Sequence, residues 1–190
     1  HEQGGVRDIA MDADRNSMEF SIMTYASYVG HPDRGGYTNE AGGYSQSLMM
    51  YDIAAIQHMY GANFDYNSGD TTYTFSTSTG EMFINGVGQG TPYANRIFRT
   101  LWDGDGIDTY DFSNYTTNLS IDLTPGGWSN LDTTGNFQRA YLGRGHYARG
   151  HVFNALQYKE DHRSSIENAY GGSGDDIIQG NTANNKLLGN

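Results

Sequence analysis

Gly171-Gly-Ser-Gly-Asp-Asp-Ile-Ile-Gln179 is the stretch whose reading decides the fold. It fits the nine-residue pattern G-G-x-G-x-D-x-U-x, in which U is a large apolar residue. Gly172 and Gly174 permit tight turn dihedrals that a side chain would obstruct. Their carbonyls turn inward as hard oxygen donors, and Asp176 adds a carboxylate. Calcium takes several oxygens at about 2.3–2.6 Å and tolerates irregular geometry. Ile178 then buries its side chain beneath a short parallel strand. The next block, Gly180-Asn-Thr-Ala-Asn-Asn-Lys-Leu-Leu188, keeps the spacing, with Asn185 at the Asp position and Leu187-Leu188 at the apolar one. Such repeats need about three or more copies to stack stably, so the tail reads as the start of a longer roll. For a single copy the alternative is a plain surface β-turn.

Two further oxygen-rich turns lie upstream. Asp103-Gly-Asp-Gly-Ile-Asp108 holds three carboxylates that repel one another unless a cation sits between them; the alternative is a solvated turn. Asn67-Ser-Gly-Asp-Thr71 is a shorter one. Around them, Thr72-Tyr-Thr-Phe75, Glu81-Met-Phe-Ile84, Ile97-Phe-Arg-Thr-Leu-Trp102, Thr109-Tyr-Asp-Phe112 and Leu119-Ser-Ile-Asp-Leu123 alternate or cluster apolar residues between turn formers, which predicts strands. A helix is predicted over about 46–60. Met49, Ile53, Ile56 and Tyr60 share one helical face, Ser45 or Ser47 caps the start, and Gly61 follows the end. A soft boundary falls near 61–70.

The composition agrees. The chain has 190 residues and a formal charge of −11, so the basic footprint of a nucleic-acid binder is missing. No apolar run approaches the roughly 18–20 residues that span a bilayer, and a soluble protein is expected. Gly reaches 26, Pro only 3, and 15 Tyr lift the aromatics to 13%, which favours a folded, loop-rich and strand-rich chain over disorder. Cysteine is absent, which excludes disulfides, Cys-ligated zinc and thiol chemistry. A secreted chain without disulfides needs another staple, and calcium fits its acidic turns. The chain opens on His1 without a signal peptide and reads as a fragment or processed product whose targeting signal lies outside it.

Four ordered motifs carry a resemblance. Ser21-Ile-Met-Thr-Tyr25 resembles the Met-turn of serralysin-type zinc metallopeptidases, a branch of the metzincins. Asp52-Ile-Ala-Ala-Ile-Gln-His-Met-Tyr-Gly-Ala-Asn63 resembles the helix and exit loop that follow it. Trp102–Ser113 and Ile166–Ile177 resemble the opening of that family's calcium-binding, RTX-type C-terminal domain. The resemblance implies an α+β fold, mostly β. Residues 1–62 would be the end of a metzincin catalytic domain, and 63–190 a Gly-rich β domain leading into a calcium β-roll. It implies that Met23 floors the zinc site and that Tyr25 is a displaceable phenolic zinc ligand. It also implies two calcium groups: Asn67, Gly69 and Thr71 with Asp103, Asp105, Gly106 and Asp108, and Ser165 and Glu167 with Gly172, Gly174 and Asp176.

The departure is the zinc helix. The family's H-E-x-x-H-x-x-G-x-x-H places two His on one helical face with a Glu base between them, and this chain has no such string. The helix would lie before residue 1, with His1 as the third zinc ligand or an ordinary terminal His, and the chain alone is expected to be inactive. The leading reading is therefore a portion of an extracellular, calcium-binding zinc endopeptidase acting on protein or peptide substrates, whose catalytic N-terminal part and further repeats lie outside the chain. Its rival is a non-catalytic, calcium-dependent structural or secretion module. A third reading is a carbohydrate-binding β domain that uses surface Tyr. Among the other histidines, His58 reads as a core residue and His31 and His162 as surface residues. His146 and His151 read as part of a solvated Gly-rich loop with Arg144 and Arg149, or else an anion site.

Overall fold

The computed structural model describes residues 11–32 and 36–189. The expected α+β class, mostly β with one main helix, is what the chain adopts. The α-helix α1 (Met50–Tyr60) precedes the strands β1 (Thr72–Phe75), β2 (Met82–Ile84), β3 (Val87–Gly88), β4 (Arg99–Leu101), β5 (Thr109–Asp111), β6 (Ser120–Asp122), β7 (Trp128–Ser129), β8 (Tyr141–Gly143), β9 (His146–Tyr147), β10 (Val152–Asn154), β11 (Asn168–Tyr170), β12 (Ile177–Gln179) and β13 (Lys186–Leu188). The largest sheet runs β13-β11-β5-β1-β2-β3, and smaller ones run β4-β10-β7, β12-β6 and β8-β9.

The tail shows why the Gly-Asp pattern has its period. Strands β11, β12 and β13 start nine residues apart, at Asn168, Ile177 and Lys186. The first and third pair in parallel in the main sheet, whereas β12 pairs in parallel with β6 in a second sheet. The chain therefore crosses between two sheets once per repeat, and each crossing needs a tight turn. Between the sheets, Tyr73, Phe75, Tyr110, Phe112, Tyr115 and Ile121 are fully buried, and Ile178 packs against them. An aromatic side chain covers roughly 150–250 Å². At about 25 cal/mol per Å² each contributes roughly 4–6 kcal/mol before ordering entropy is subtracted.

A second core joins Met18, Phe20, Tyr28, Met49 and Met50 to Phe98, Leu142 and Phe153. Residues on both sides of position 62 thus share one apolar cluster.

The helix differs from its prediction at its start and in its face. Residues 46–49 do not coil because they bond to the chain around β4: Gln46 N–H donates to Phe98 O at 2.8 Å, and Thr100 N–H donates to Ser47 Oγ at 2.9 Å. Ser47 is therefore engaged elsewhere, and Asp52 Oδ2 accepts the Met49 N–H at 2.9 Å in its place. The buried face carries Met50, Asp52 and Gln57, while Ile56, Met59 and Tyr60 face outward. His58 is exposed, because Gln57 takes the inward position.

The stretch around 143–150 is a hairpin rather than a loose loop. Arg144 and Gly145 both have positive φ, +51° and +85°, as a type I′ turn requires. Arg149 pairs with Glu19 at 3.1 Å, and its guanidinium lies over Phe20 and Trp128. His151 is buried: its Nδ1 accepts the Leu131 N–H at 3.0 Å, and its Nε2 contacts Phe137 O at 2.8 Å. His31 is buried too, edge-on to Tyr28.

Candidate metal centre

Parallel strands in register bring together the loops that precede them. Thr72 pairs with Thr109 and Asn168 with Thr109, so the loops before β1, β5 and β11 meet at one sheet edge. These loops carry Asn67–Thr71, Asp103–Asp108 and Ser165–Glu167. Asp108 ties them together. Its Oδ1 accepts the Thr71 N–H at 2.8 Å, its carbonyl accepts the Asn168 N–H at 2.9 Å, and its own N–H donates to Glu167 Oε2 at 2.8 Å. Glu167 therefore stands with Asp108; the sequence reading had grouped it with the Gly172 turn. Ser165 lines a cavity of about 10 Å³ together with Asp103.

The electrostatics of this edge are unfavourable without a cation. Asp103 and Asp108 are fully buried. Burial, then repulsion by Asp103, pushes the Asp108 carboxyl up to about 8, and burial raises Asp103 and Glu167 as well. Asp103 Oδ2 accepts the Tyr73 hydroxyl at 2.6 Å, and Asn67 Nδ2 donates to that same hydroxyl at 3.0 Å. Thr71 Oγ1 donates to Gly69 O at 2.8 Å. Asp105, half-buried, accepts the Gly106 N–H at 3.0 Å. Gly106 has φ +135°, and a Cβ there would come within 2.8 Å of Gly69 O, so only glycine lets these two loops close.

The same logic repeats at the second sheet. The turn before β12 meets the turn before β6. A Cβ on Gly172 would strike the Tyr115 carbonyl, and one on Gly174 the Thr117 carbonyl. Asp176 Oδ1 accepts the Leu119 N–H at 2.9 Å. Nine residues on, Asn185 Oδ1 accepts the Asn181 N–H at 2.8 Å, and its amide donates to Glu167 O at 2.9 Å. The Asn copy satisfies its own polar atoms.

The Asp copies do not. Asp108 Oδ2 and Asp176 Oδ2 are both buried with no hydrogen-bond partner. A buried carboxylate oxygen without a partner is costly, and a hard cation that takes oxygen ligands fits both places. Among the described residues no three His, Asp or Glu side chains stand together as a ready metal cage, so carbonyls would have to complete either ligand set.

Away from these edges, Asp52 pins the turn at 21–25. Its Oδ1 accepts the Ser21 hydroxyl at 2.6 Å, and its Oδ2 accepts the Ile22 N–H at 2.9 Å. Met23 and Tyr25 project from that turn, 69% and 65% exposed. His1 lies outside the described residues. Sequence reading missed the roles of Asp52 and Tyr73: both sit in motifs already quoted, but the partners that define those roles, Ser21 and Ile22 for Asp52 and Asp103 for Tyr73, are 30 or more residues away.

Residues 62–141 match a family model described as Peptidase M10 serralysin C terminal. The metallopeptidase AprA of Pseudomonas marginalis is 34% identical over 203 residues, covering 98% of this chain and 37% of that protein. Serralysin G of Dickeya chrysanthemi is 34% identical over 184 residues, covering 96% and 32%. The serralysin of Proteus mirabilis is 30% identical over 176 residues, covering 93% and 30%. The chain spans about a third of the length of these relatives. No helix among the described residues is long and apolar enough to cross a membrane.

Proposed function

Because the chain is a serralysin relative that carries the serralysin C-terminal region of peptidase family M10, we propose that it forms the calcium-binding portion of an exported zinc metalloendopeptidase. One observation carries the calcium reading: buried Asp103 and Asp108 meet Glu167 at a single sheet edge, with Asp108 Oδ2 left unpartnered. Calcium would supply compensating positive charge and bring the three loops together. At the first edge the holders would be Gly69, Thr71, Asp103, Asp105, Gly106, Asp108, Ser165 and Glu167, with Asn67 orienting Tyr73. At the second they would be Gly172, Gly174 and Asp176, as the first turn of a β-roll. Residues 1–62 would close the catalytic domain and 63–190 would form the calcium domain, the two sharing the Phe20–Phe153 core.

In the whole peptidase zinc would polarise the peptide carbonyl. On this chain, Asp52 holds the turn, Met23 presents an apolar floor, and the Tyr25 phenol donates a hydrogen bond to the developing oxyanion. Binding restricted to the folded form adds stability by mass action, so an acidic chain of this kind would fold once calcium is abundant, outside the cell. Thermal melts in EDTA, then in calcium or magnesium, test the reading. Calcium should raise the melting temperature well beyond magnesium, and equal melting in all three would reject it.

A further inference from the structure

Arg99 is a partly buried arginine that no acidic side chain pairs with among the described residues. Arg96 pairs with Glu40, Arg149 with Glu19 and Arg163 with Asp161, and Arg139 lies over the ring of Tyr147. Arg99 forms no ion pair and no ring contact among the described residues, and its Nε is buried without a hydrogen-bond partner. This happens in a chain with 22 acidic and 11 basic side chains. Its place is fixed, since its backbone N–H donates to His151 O at 3.1 Å. Around it lies a cleft of about 270 Å³ walled by Leu48, Ile53, Tyr66, Met82, Ile84 and Trp102. The walls come from the segment before α1, from α1 itself, and from β2 and β4 with the loops beside them, so the whole fold builds the cleft.

A guanidinium stays protonated in such a setting and presents a fork that matches a carboxylate. Leu48, Ile53, Met82 and Ile84 offer no donors to an inorganic anion, but they accept an apolar body. Sites for small ligands combine mostly apolar walls with a few placed polar groups in this way. We propose that the cleft around Arg99 binds a small amphipathic carboxylate, with its head on the guanidinium and its tail along Leu48, Ile53 and Met82. The proposal does not rest on the calcium reading, and its test is run at saturating calcium.

Trp102 lines the cleft, whereas Trp128 lies at the second core. In a Trp128→Phe background, Trp102 emission therefore reports occupancy. Decanoate below its aggregation concentration should shift that emission saturably. Binding of 1-decanol, of acetate, and of decanoate to Arg99→Met should each be at least about tenfold weaker, the loss expected when one charge-assisted pair is removed. A second arm compares a short peptide ending in a free Leu carboxylate with its C-terminal amide. Binding of decanoate alone assigns a fatty-acid ligand, binding of the acid peptide assigns a chain terminus, and either result supports the site. Unchanged decanoate binding by a folded Arg99→Met, equally tight decanol or acetate binding, or no saturable binding of either carboxylate overturns it. If Arg99→Met does not fold, the decanoate and decanol titrations of the parent chain decide.

Discussion

Asp108 donates its backbone N–H to Glu167 Oε2 at 2.8 Å, across 59 residues of chain. That bond links the loop before β5 to the loop before β11 and brings a third carboxylate to the buried pair Asp103 and Asp108. Anions held this close in a low-dielectric setting repel one another, and the fold tolerates them best when a cation is shared.

Asp108→Asn separates charge from shape, because an amide oxygen can still accept the Thr71 N–H. Without calcium the variant should melt higher than the parent, by about 3 °C for each kcal/mol of repulsion removed. With calcium its gain in melting temperature should shrink. Melts in EDTA and in calcium check both signs. A lower melting point in EDTA with an undiminished calcium gain would contradict the reading.

Asp176→Asn recreates at the first repeat what Asn185 already does at the second. The turn should stay closed, while calcium affinity at that turn falls roughly tenfold with the loss of one charged ligand. Calorimetric titration measures this, and an unchanged isotherm would remove Asp176 from the site.

Asp52→Ala breaks the bonds from Ser21, Ile22 and Met49 together. Charge-assisted bonds of this kind make a loss of about 3 kcal/mol the expectation in urea unfolding. The turn at 21–25 should also become the first site of limited proteolysis. A loss below about 1 kcal/mol would show that the turn stands without its tether.

His151 sets a pH dependence of its own. Burial, reinforced by Arg139 and Arg96, holds its imidazole at about 4, against 6.5 for a free side chain. Between those values the unfolded chain takes up a proton that the folded chain refuses. The contribution is therefore whole above pH 6.5 and is lost as pH falls towards 4, to the extent of roughly 3 kcal/mol. Urea unfolding at pH 7 and pH 4.5 should show a smaller drop for His151→Gln than for the parent. Equal drops would mean that His151 does not govern the slope.

The sequence showed local features well and distant ones poorly. The runs at 72–75, 109–112 and 119–123 read as strands because alternation is a property of neighbours, and the Gly-Asp turn carried its chemistry within nine residues. The contact of Glu167 with Asp108 was not legible, because it is fixed by strand register, which no local pattern encodes. The helix face rotated because Ser47 and Gln46 bond to the chain around β4, leaving Asp52 to cap and Gln57 to face inward. His31 and His151 lie in polar, Gly-rich text, and only tertiary packing makes them core residues. Within the candidate centre, the ligand types were legible, but the meeting of three loops at one edge followed from parallel pairing alone.

Divalent cations are proposed to compensate the paired carboxylates at the loop edges of these parallel strands. Crystals grown in calcium, with diffraction collected where calcium scatters anomalously, test it most directly. Anomalous peaks are expected among Gly69, Asp103, Asp108 and Glu167, and between Tyr115 and Asp176. Ordered water alone at both places would contradict it.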